Sequence, residues 1–373
     1  MQENSAQNKR HKKKRRRSEN GILLGSIILC VVTLLAITIS LMLVFKYRAI
    51  QMENMVVMNE LDEIRMDETV TYTQDEVDAM IARAVEEAVA ETSEEVSGEF
   101  LDKLKELMLS GNGATAMLRY FYPNDIVVVD AGEYYFFPIS DELARNTYNP
   151  EQLEIDENQV ITYYENGEAV SHKGIDVSKY QGKIDWEKVA DDGVEYAFIR
   201  LGIRGYTEGV IQEDATFENN IKGARRNDID VGVYFFTQAT SIAEAEEEAQ
   251  YVLDMIEPYK VDCPVVIDVE AVSNSNARTQ DLTKEERTEY CIAFCEKIKN
   301  AGYTPMIYGN LKTFMLMLDI EKLEDYDKWF AYYDEKFYFP YEFKVWQYTD
   351  TGAVNGIGTD VDLNISFGDW SNE

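Results

Sequence analysis

From residue 173 onward, short apolar runs alternate with amphipathic stretches. The runs at 174–177, 196–201, 231–236, 265–270, 305–308, 328–332, 343–348 and 361–365 have strand length and are rich in Val, Ile and aromatic residues. Between the early runs, residues 185–192, 217–227, 242–256 and 284–301 place apolar side chains at helical spacing. The gaps between the later runs are too short for a full helix in each. Strands that alternate with helices predict a parallel sheet with crossovers. Eight strands in about 200 residues predict an α/β fold, a short irregular TIM-like barrel closed by its last strands. A doubly wound open sheet is the structural alternative, but no G-x-G-x-x-G, P-loop or G-x-S-x-G sequence accompanies it.

Upstream the pattern differs in three stretches. Residues 21–45 carry no charge over 25 positions, enough to span a bilayer as one transmembrane helix. The run Lys12-Lys13-Lys14-Arg15-Arg16-Arg17 precedes it and predicts a cytoplasmic basic tail at 1–20, with the rest of the chain extracellular. A cleaved signal peptide is the rival, but the apolar run is long and ends without a small-x-small site. Residues 46–110 read as a helical, charged stalk. Ile50, Val57, Leu61 and Ile64 form a heptad-like stripe, and Val77, Ile81, Ala84, Val85 and Ala88 recur at helical spacing. A self-associating coiled coil and a solvated spacer helix both fit, and fewer than four clean heptads favour the spacer. Ser110-Gly111-Asn112-Gly113 closes the stalk. Residues 111–172 then predict a small β-rich module, with strands at 125–130, 133–137 and 160–164 and a turn at Asn166-Gly167. The expected barrel domain is 173–373.

Charge narrows the function classes. The first 48 residues hold ten Lys/Arg against two Glu, a net of +8; with a formal total of −33, the remaining chain carries −41. So acidic a domain offers nothing to neutralise phosphates, which argues against nucleic acid as a partner. Two His, His11 and His172, leave no His-rich metal site and no ready Ser-His or Cys-His nucleophile. Neither cofactor nor metal is expected. Cys30 lies in the apolar run; Cys263, Cys291 and Cys295 make no even disulfide framework and read as buried small hydrophobes.

The candidate chemistry lies at strand ends. In Pro264-Val265-Val266-Ile267-Asp268-Val269-Glu270, residues i and i+2 of a strand share a face, so Asp268 and Glu270 stand side by side at the C-terminal end of a buried strand. Barrel enzymes keep their sites at that end. Two neighbouring buried carboxylates push one pKa upward, so one stays protonated while the other ionises, as glycoside hydrolysis requires. Asp176 ends the first strand, and Asp362 lies on the last, its neighbour in a closed barrel. A lone acid at a strand end is ordinarily a cap or an ion-pair partner; four on one rim point to a site. Tyr206, Tyr234, Phe236, Tyr308, Tyr332 and Trp346 stand near the same ends and, as a set, suit stacking on sugar rings.

Several ordered motifs resemble the glycoside hydrolase family 25 lysozymes. They are Gly174-Ile175-Asp176-Val177-Ser178-Lys179-Tyr180-Gln181-Gly182, Ile184-Asp185-Trp186, Phe198-Ile199-Arg200, Gly232-Val233-Tyr234-Phe235-Phe236, Ile267-Asp268-Val269-Glu270, Val345-Trp346-Gln347-Tyr348 and Val361-Asp362-Leu363-Asn364. The resemblance covers about 173–370. It implies a (β/α)5(β)3 barrel and a muramidase that hydrolyses the β-1,4 bond between N-acetylmuramic acid and N-acetylglucosamine in peptidoglycan. It puts the catalytic acid on Glu270, the partner carboxylate on Asp268 and supporting acids on Asp176 and Asp362. Arg200 and Gln347, within the motifs, join the aromatic set as candidate substrate-binding residues. Phe235 stands where many members have His, facing away from Tyr234 and Phe236 along the strand. Substrate-assisted attack, a direct Asp nucleophile and a water-activating base all remain open. A chitinase-like hydrolase, which also ends a strand in D-x-E, and a catalytically dead wall-binding barrel are the competing functions.

Overall fold

The computed structural model describes residues 114–368 together with Lys103, Leu104, Glu106 and Trp370. The expected basic tail, the transmembrane run at 21–45 and nearly all of the stalk lie outside the described residues. Among the described residues no helix is long and apolar enough to cross a membrane. The chain divides into two compact units, Met1–Phe137 and Pro138–Glu373.

In the first unit, helix α1 (Ala114–Phe121) precedes a two-stranded sheet of β1 (Asp125–Asp130) and β2 (Glu133–Pro138). Ile126, Val127, Val128, Phe136 and Phe137 are its buried apolar residues.

The second unit is built on a closed sheet. Its strands are β6 (His172–Val177), β7 (Tyr196–Arg204), β9 (Asp230–Phe236), β10 (Val265–Asp268), β11 (Pro305–Asn310), β12 (Asp327–Ala331), β13 (Val345–Gly352) and β14 (Val361–Ser366). They neighbour one another in that order, and β14 returns to β6, so eight strands close a barrel. Pairing is parallel from β6 through β13. Only β14 runs antiparallel to its neighbours, which brings its first residues to the rim where the other strands end. A short strand, β8 (Ile211–Glu213), pairs on the extension of β7 outside the closure. All eight expected strands are present, and the closed order excludes the open doubly wound sheet.

Helices α2 (Trp186–Asp191), α3 (Phe217–Arg226), α4 (Ile242–Ile256) and α5 (Lys284–Asn300) join the first five barrel strands. Their starts are chemically marked. Ser241 Oγ accepts from Glu244 N at 3.2 Å, and Thr283 and Glu286 form a reciprocal capping box at α5. After β11 the crossover shrinks to a π-helical turn, Thr313–Met317, and a 3-10 turn, Ile320–Leu323. The last strands have no covering helix, as the short gaps predicted.

Alternate strand positions fill the barrel interior. Tyr196, Phe198, Cys263, Val266, Met306, Trp329 and Val345 form one buried cluster, with Phe198 stacked on Trp329 at 4.5 Å between centroids. A Cβ on Gly174 would lie 2.0 Å from the Tyr196 ring, so glycine is what lets that ring enter the barrel. Cys263, Cys291 and Cys295 are buried free thiols, and burial pushes Cys291 up to about 12, away from nucleophilic reactivity.

The boundary expected at 172/173 does not coincide with the compact unit, which begins at Pro138. Strands β3 (Leu153–Ile155), β4 (Ile161–Glu165) and β5 (Glu168–Ala169) form a small sheet. Asn166 and Gly167, at φ 51° and 85°, make the turn between β4 and β5. This layer packs on the side of the barrel that has no helices. Tyr148 stacks on Phe367 at 3.9 Å, Tyr163 meets the same ring edge-on at 5.3 Å, and Ile161 N donates to the Tyr348 hydroxyl at 3.4 Å. The β1–β2 sheet belongs to one unit, while 138–172 cover apolar barrel surface that would otherwise face water.

Candidate active site

At the rim where the parallel strands end lies a cleft of about 460 Å³. Asp176, Arg200, Tyr206, Tyr234, Phe236, Asp268, Glu270, Tyr308, Gln347 and Asp362 all line it, ten of the twelve residues expected there. Their convergence follows from parity. Asp176, Arg200, Tyr234, Phe236, Asp268, Tyr308 and Gln347 continue the inward rows of their strands past the apolar cluster.

Asp268 is the last residue of β10, in register with Phe236 on one side and Tyr308 on the other. Glu270, expected within the strand, lies two residues beyond its end. Asp268 is 4% exposed and its Oδ1 has no hydrogen-bond partner. Burial holds its pKa well above the usual carboxylate range, and the negative Glu270 and Asp176 add to that; Arg200 opposes them. Burial also raises Glu270, while its hydrogen bond with Asp268 pulls the other way. The two carboxyls thus face each other in a dry setting, where a shared proton relieves their repulsion.

Asp176 and Asp362 are register partners across β6 and β14. Burial lifts Asp176 to about 6, restrained by hydrogen bonds from Asn364 and Gln347 to its carboxylate. Burial lifts Asp362 to about 8, with the negative Asp176 next in effect. The amide donors are themselves fixed. Gln347 Nε2 and Asn364 Nδ2 donate to Asp176 Oδ2 at 2.8 and 2.9 Å. Gln347 Oε1 accepts from the hydroxyls of Tyr308 at 2.8 Å and Tyr333 at 3.0 Å, and Asn364 Oδ1 accepts from Trp329 Nε1 at 2.7 Å.

Arg200 supplies the cleft's positive charge. Its Nε and one terminal nitrogen both reach Asp214 Oδ2 at 2.8 Å, and its guanidinium lies 5.1 Å from the centroid of the Tyr180 ring. Tyr180 and Tyr206 are 70% and 43% exposed, which leaves two aromatic faces at the mouth of the cleft. Among the described residues no group of three or more His, Cys, Asp or Glu is arranged to hold a metal ion.

Two expected site residues are elsewhere. Trp346 is fully buried on the outer face of β13, its Nε1 donating to Tyr332 O at 2.8 Å and its ring 5.5 Å from Phe337. Because Gln347 points inward, its neighbour Trp346 must point outward. Tyr332 follows the same rule. Trp329 and Ala331 face the interior, so Tyr332 turns out to pack beside Phe330 at 5.9 Å, and Tyr333 enters the cleft instead. Counting parity from Trp329 through 331 to 333 would have found Tyr333. The supporting roles of Asn364 and Trp329 were not assigned from sequence, since they depend on which strands close the barrel. Phe235 does face away, into a buried contact with Tyr251 of α4 at 6.3 Å.

With this geometry in place, comparison with known proteins identifies the barrel. The family model of glycosyl hydrolases family 25 matches residues 175–357. An autolytic lysozyme from Clostridium acetobutylicum is 27% identical over 193 residues, 52% of this chain and 55% of the relative. An uncharacterised Escherichia coli K12 protein, YegX, is 31% identical over 202 residues, 52% of this chain and 68% of the relative. The chain thus spans only about half the length of the first of these relatives. Among solved structures, a family 25 glycosyl hydrolase from Bacillus anthracis aligns with a TM-score of 0.47 at 25% identity, covering 56% of this chain and 93% of that one. The chain belongs to the glycosyl hydrolases of family 25.

Proposed function

We propose that the protein is a muramidase that hydrolyses the β-1,4 bond between N-acetylmuramic acid and N-acetylglucosamine in peptidoglycan. The observation that carries this reading is the pair of buried carboxyls, Asp268 and Glu270, held together in an aromatic-lined cleft at the barrel rim. Family membership supports it, as does the likeness to an autolytic lysozyme. In this reading Glu270 donates a proton to the leaving sugar oxygen. Asp268 stabilises the positive charge that develops at the anomeric carbon, or the acetamido group that attacks it. Asp176 and Asp362 set the charge around that pair. Arg200, Gln347, Tyr206, Tyr234, Phe236 and Tyr308 shape the sugar-binding surface. The four acids together in one cleft argue against a dead wall-binding barrel.

The sequence further supports a membrane-anchored enzyme, held by residues 21–45 with the barrel outside the cell. Peptidoglycan digestion by the chain without its first 48 residues tests the chemistry. New reducing ends should be muramic acid, and chitin should be left intact; release from chitin alone would overturn the reading. Protease added to wall-stripped cells should remove the barrel and spare residues 1–20. A protected barrel would reverse the orientation.

A further inference from the structure

The peptide that leads into Glu270 is held by a side chain far away in sequence. The ladder between β10 and β11 ends at Asp268 and Tyr308, and Val269 N still donates to Tyr308 O at 3.1 Å. The next carbonyl, Val269 O, accepts instead from Thr313 Oγ1 at 3.0 Å. On the other side, Thr237 N of the chain leaving β9 donates to Asp268 O at 3.1 Å. The two carbonyls between the carboxyls are therefore each tied, to opposite neighbours.

Thr313 is built for this contact. It is 1% exposed and opens the π-helical turn that follows β11. Its own N–H donates to Asn310 Oδ1 at 3.0 Å. Gly309 makes room for it, because a Cβ there would lie 2.5 Å from the threonine methyl. Two α-helical residues, Leu311 and Lys312, lead into the turn, and single π-turns of this kind recur at functional sites.

We infer that Thr313 is a positioning residue for Glu270: its hydroxyl fixes the Val269–Glu270 peptide and so the approach of the Glu270 carboxyl to Asp268 and the scissile oxygen. The inference rests on the proposed glycosidase reading for its kinetic consequence, but not for its structural one. Glu270 lies past the end of the strand, where no ladder bond orients it, and a displacement of about 1 Å at a reacting group costs on the order of a hundredfold in rate.

The test compares Thr313→Val, which keeps the shape and removes the hydroxyl, with Thr313→Ser, which keeps the hydroxyl. On peptidoglycan, Thr313→Val should lower kcat about ten- to a hundredfold with KM nearly unchanged, and Thr313→Ser should recover most of the loss. The loss should shrink on an aryl glycoside whose leaving group needs no proton. Independently of turnover, carbon-13 NMR of the Glu and Asp carboxyls should show the Glu270 titration displaced in Thr313→Val and restored in Thr313→Ser. If the wild type cuts no glycan while the titration still moves, the functional reading falls and the positioning role stands. An unmoved titration in a folded Thr313→Val protein, or equal kinetic loss in both variants, overturns the inference.

Discussion

Gln347 donates its Nε2 to Asp176 Oδ2 at 2.8 Å, and its amide cannot turn over because its Oε1 is held by two tyrosine hydroxyls, Tyr308 and Tyr333. This bond favours the ionised form of Asp176 against burial, which holds the group at about 6. Gln347→Leu removes one of the two amide donors. The pKa of Asp176 should rise further, and the acidic limb of the kcat/KM profile should move to higher pH. An acidic limb identical to wild type would show that Asp176 does not need its charge.

Glu270 and Asp268 should respond differently to the leaving group. Glu270→Gln removes the proton donor, so it should nearly abolish cleavage of natural glycan and do less damage to an aryl glycoside. Asp268→Asn should hurt both substrates alike, because charge stabilisation is needed in either case. Folding of both variants must be checked by circular dichroism, since losing one buried acid relieves repulsion. Equal loss on both substrates for Glu270→Gln, with rescue in Asp268→Asn, would exchange the roles.

Stability should fall as pH rises across the neutral range. Asp362 titrates at about 8 in the fold, well above an ordinary aspartate, so between the ordinary range and pH 8 the folded chain holds a proton that the unfolded chain has lost. Its contribution is complete at low pH and disappears as pH passes 8. Asp176, at about 6, acts in the same direction over a narrower window. Asp362→Asn should therefore raise Tm more at pH 8 than at pH 5. An equal gain at pH 5 and pH 8, by calorimetry at both values, would mean that Asp362 is already ionised in the folded protein at pH 5 and would overturn the prediction.

The barrel should need residues 138–172. Tyr148 and Tyr163 cover Phe367, and Ile161 lies against Tyr348. A fragment of 138–373 should unfold cooperatively as a monomer, whereas 173–373 should bind hydrophobic dye or aggregate. Within the longer fragment, Tyr148→Ala should cost about 2–4 kcal/mol in denaturant unfolding, a little below the roughly 3–5 kcal/mol for a fully buried aromatic side chain because Tyr148 is half-buried. A stable, active 173–373 fragment would show that the layer is dispensable.

Much of this architecture was written in local pattern. Strand and helix positions depend on side-chain periodicity and caps, which neighbouring residues carry themselves; the run at 242–256 and the capping box at Thr283-Glu286 are examples. The placement of Asp268 and Asp176 was likewise legible, because several acids that close apolar strand runs on one rim are hard to explain as separate caps or ion pairs. Tertiary structure decided what depends on closure. Tyr332 and Trp346 looked like ligand platforms by proximity, and strand parity turned both outward. Asn364 became a partner of Asp176 only because β14 runs antiparallel beside β6. Residues 138–172 joined the barrel because its last three strands have no helices to cover them, and Thr313 met Val269 across 44 residues through a π-turn. Such contacts join segments distant in the chain. Their energies come from burial and from hydrogen bonds made in a dry interior, and neither is specified until the strands have found their neighbours.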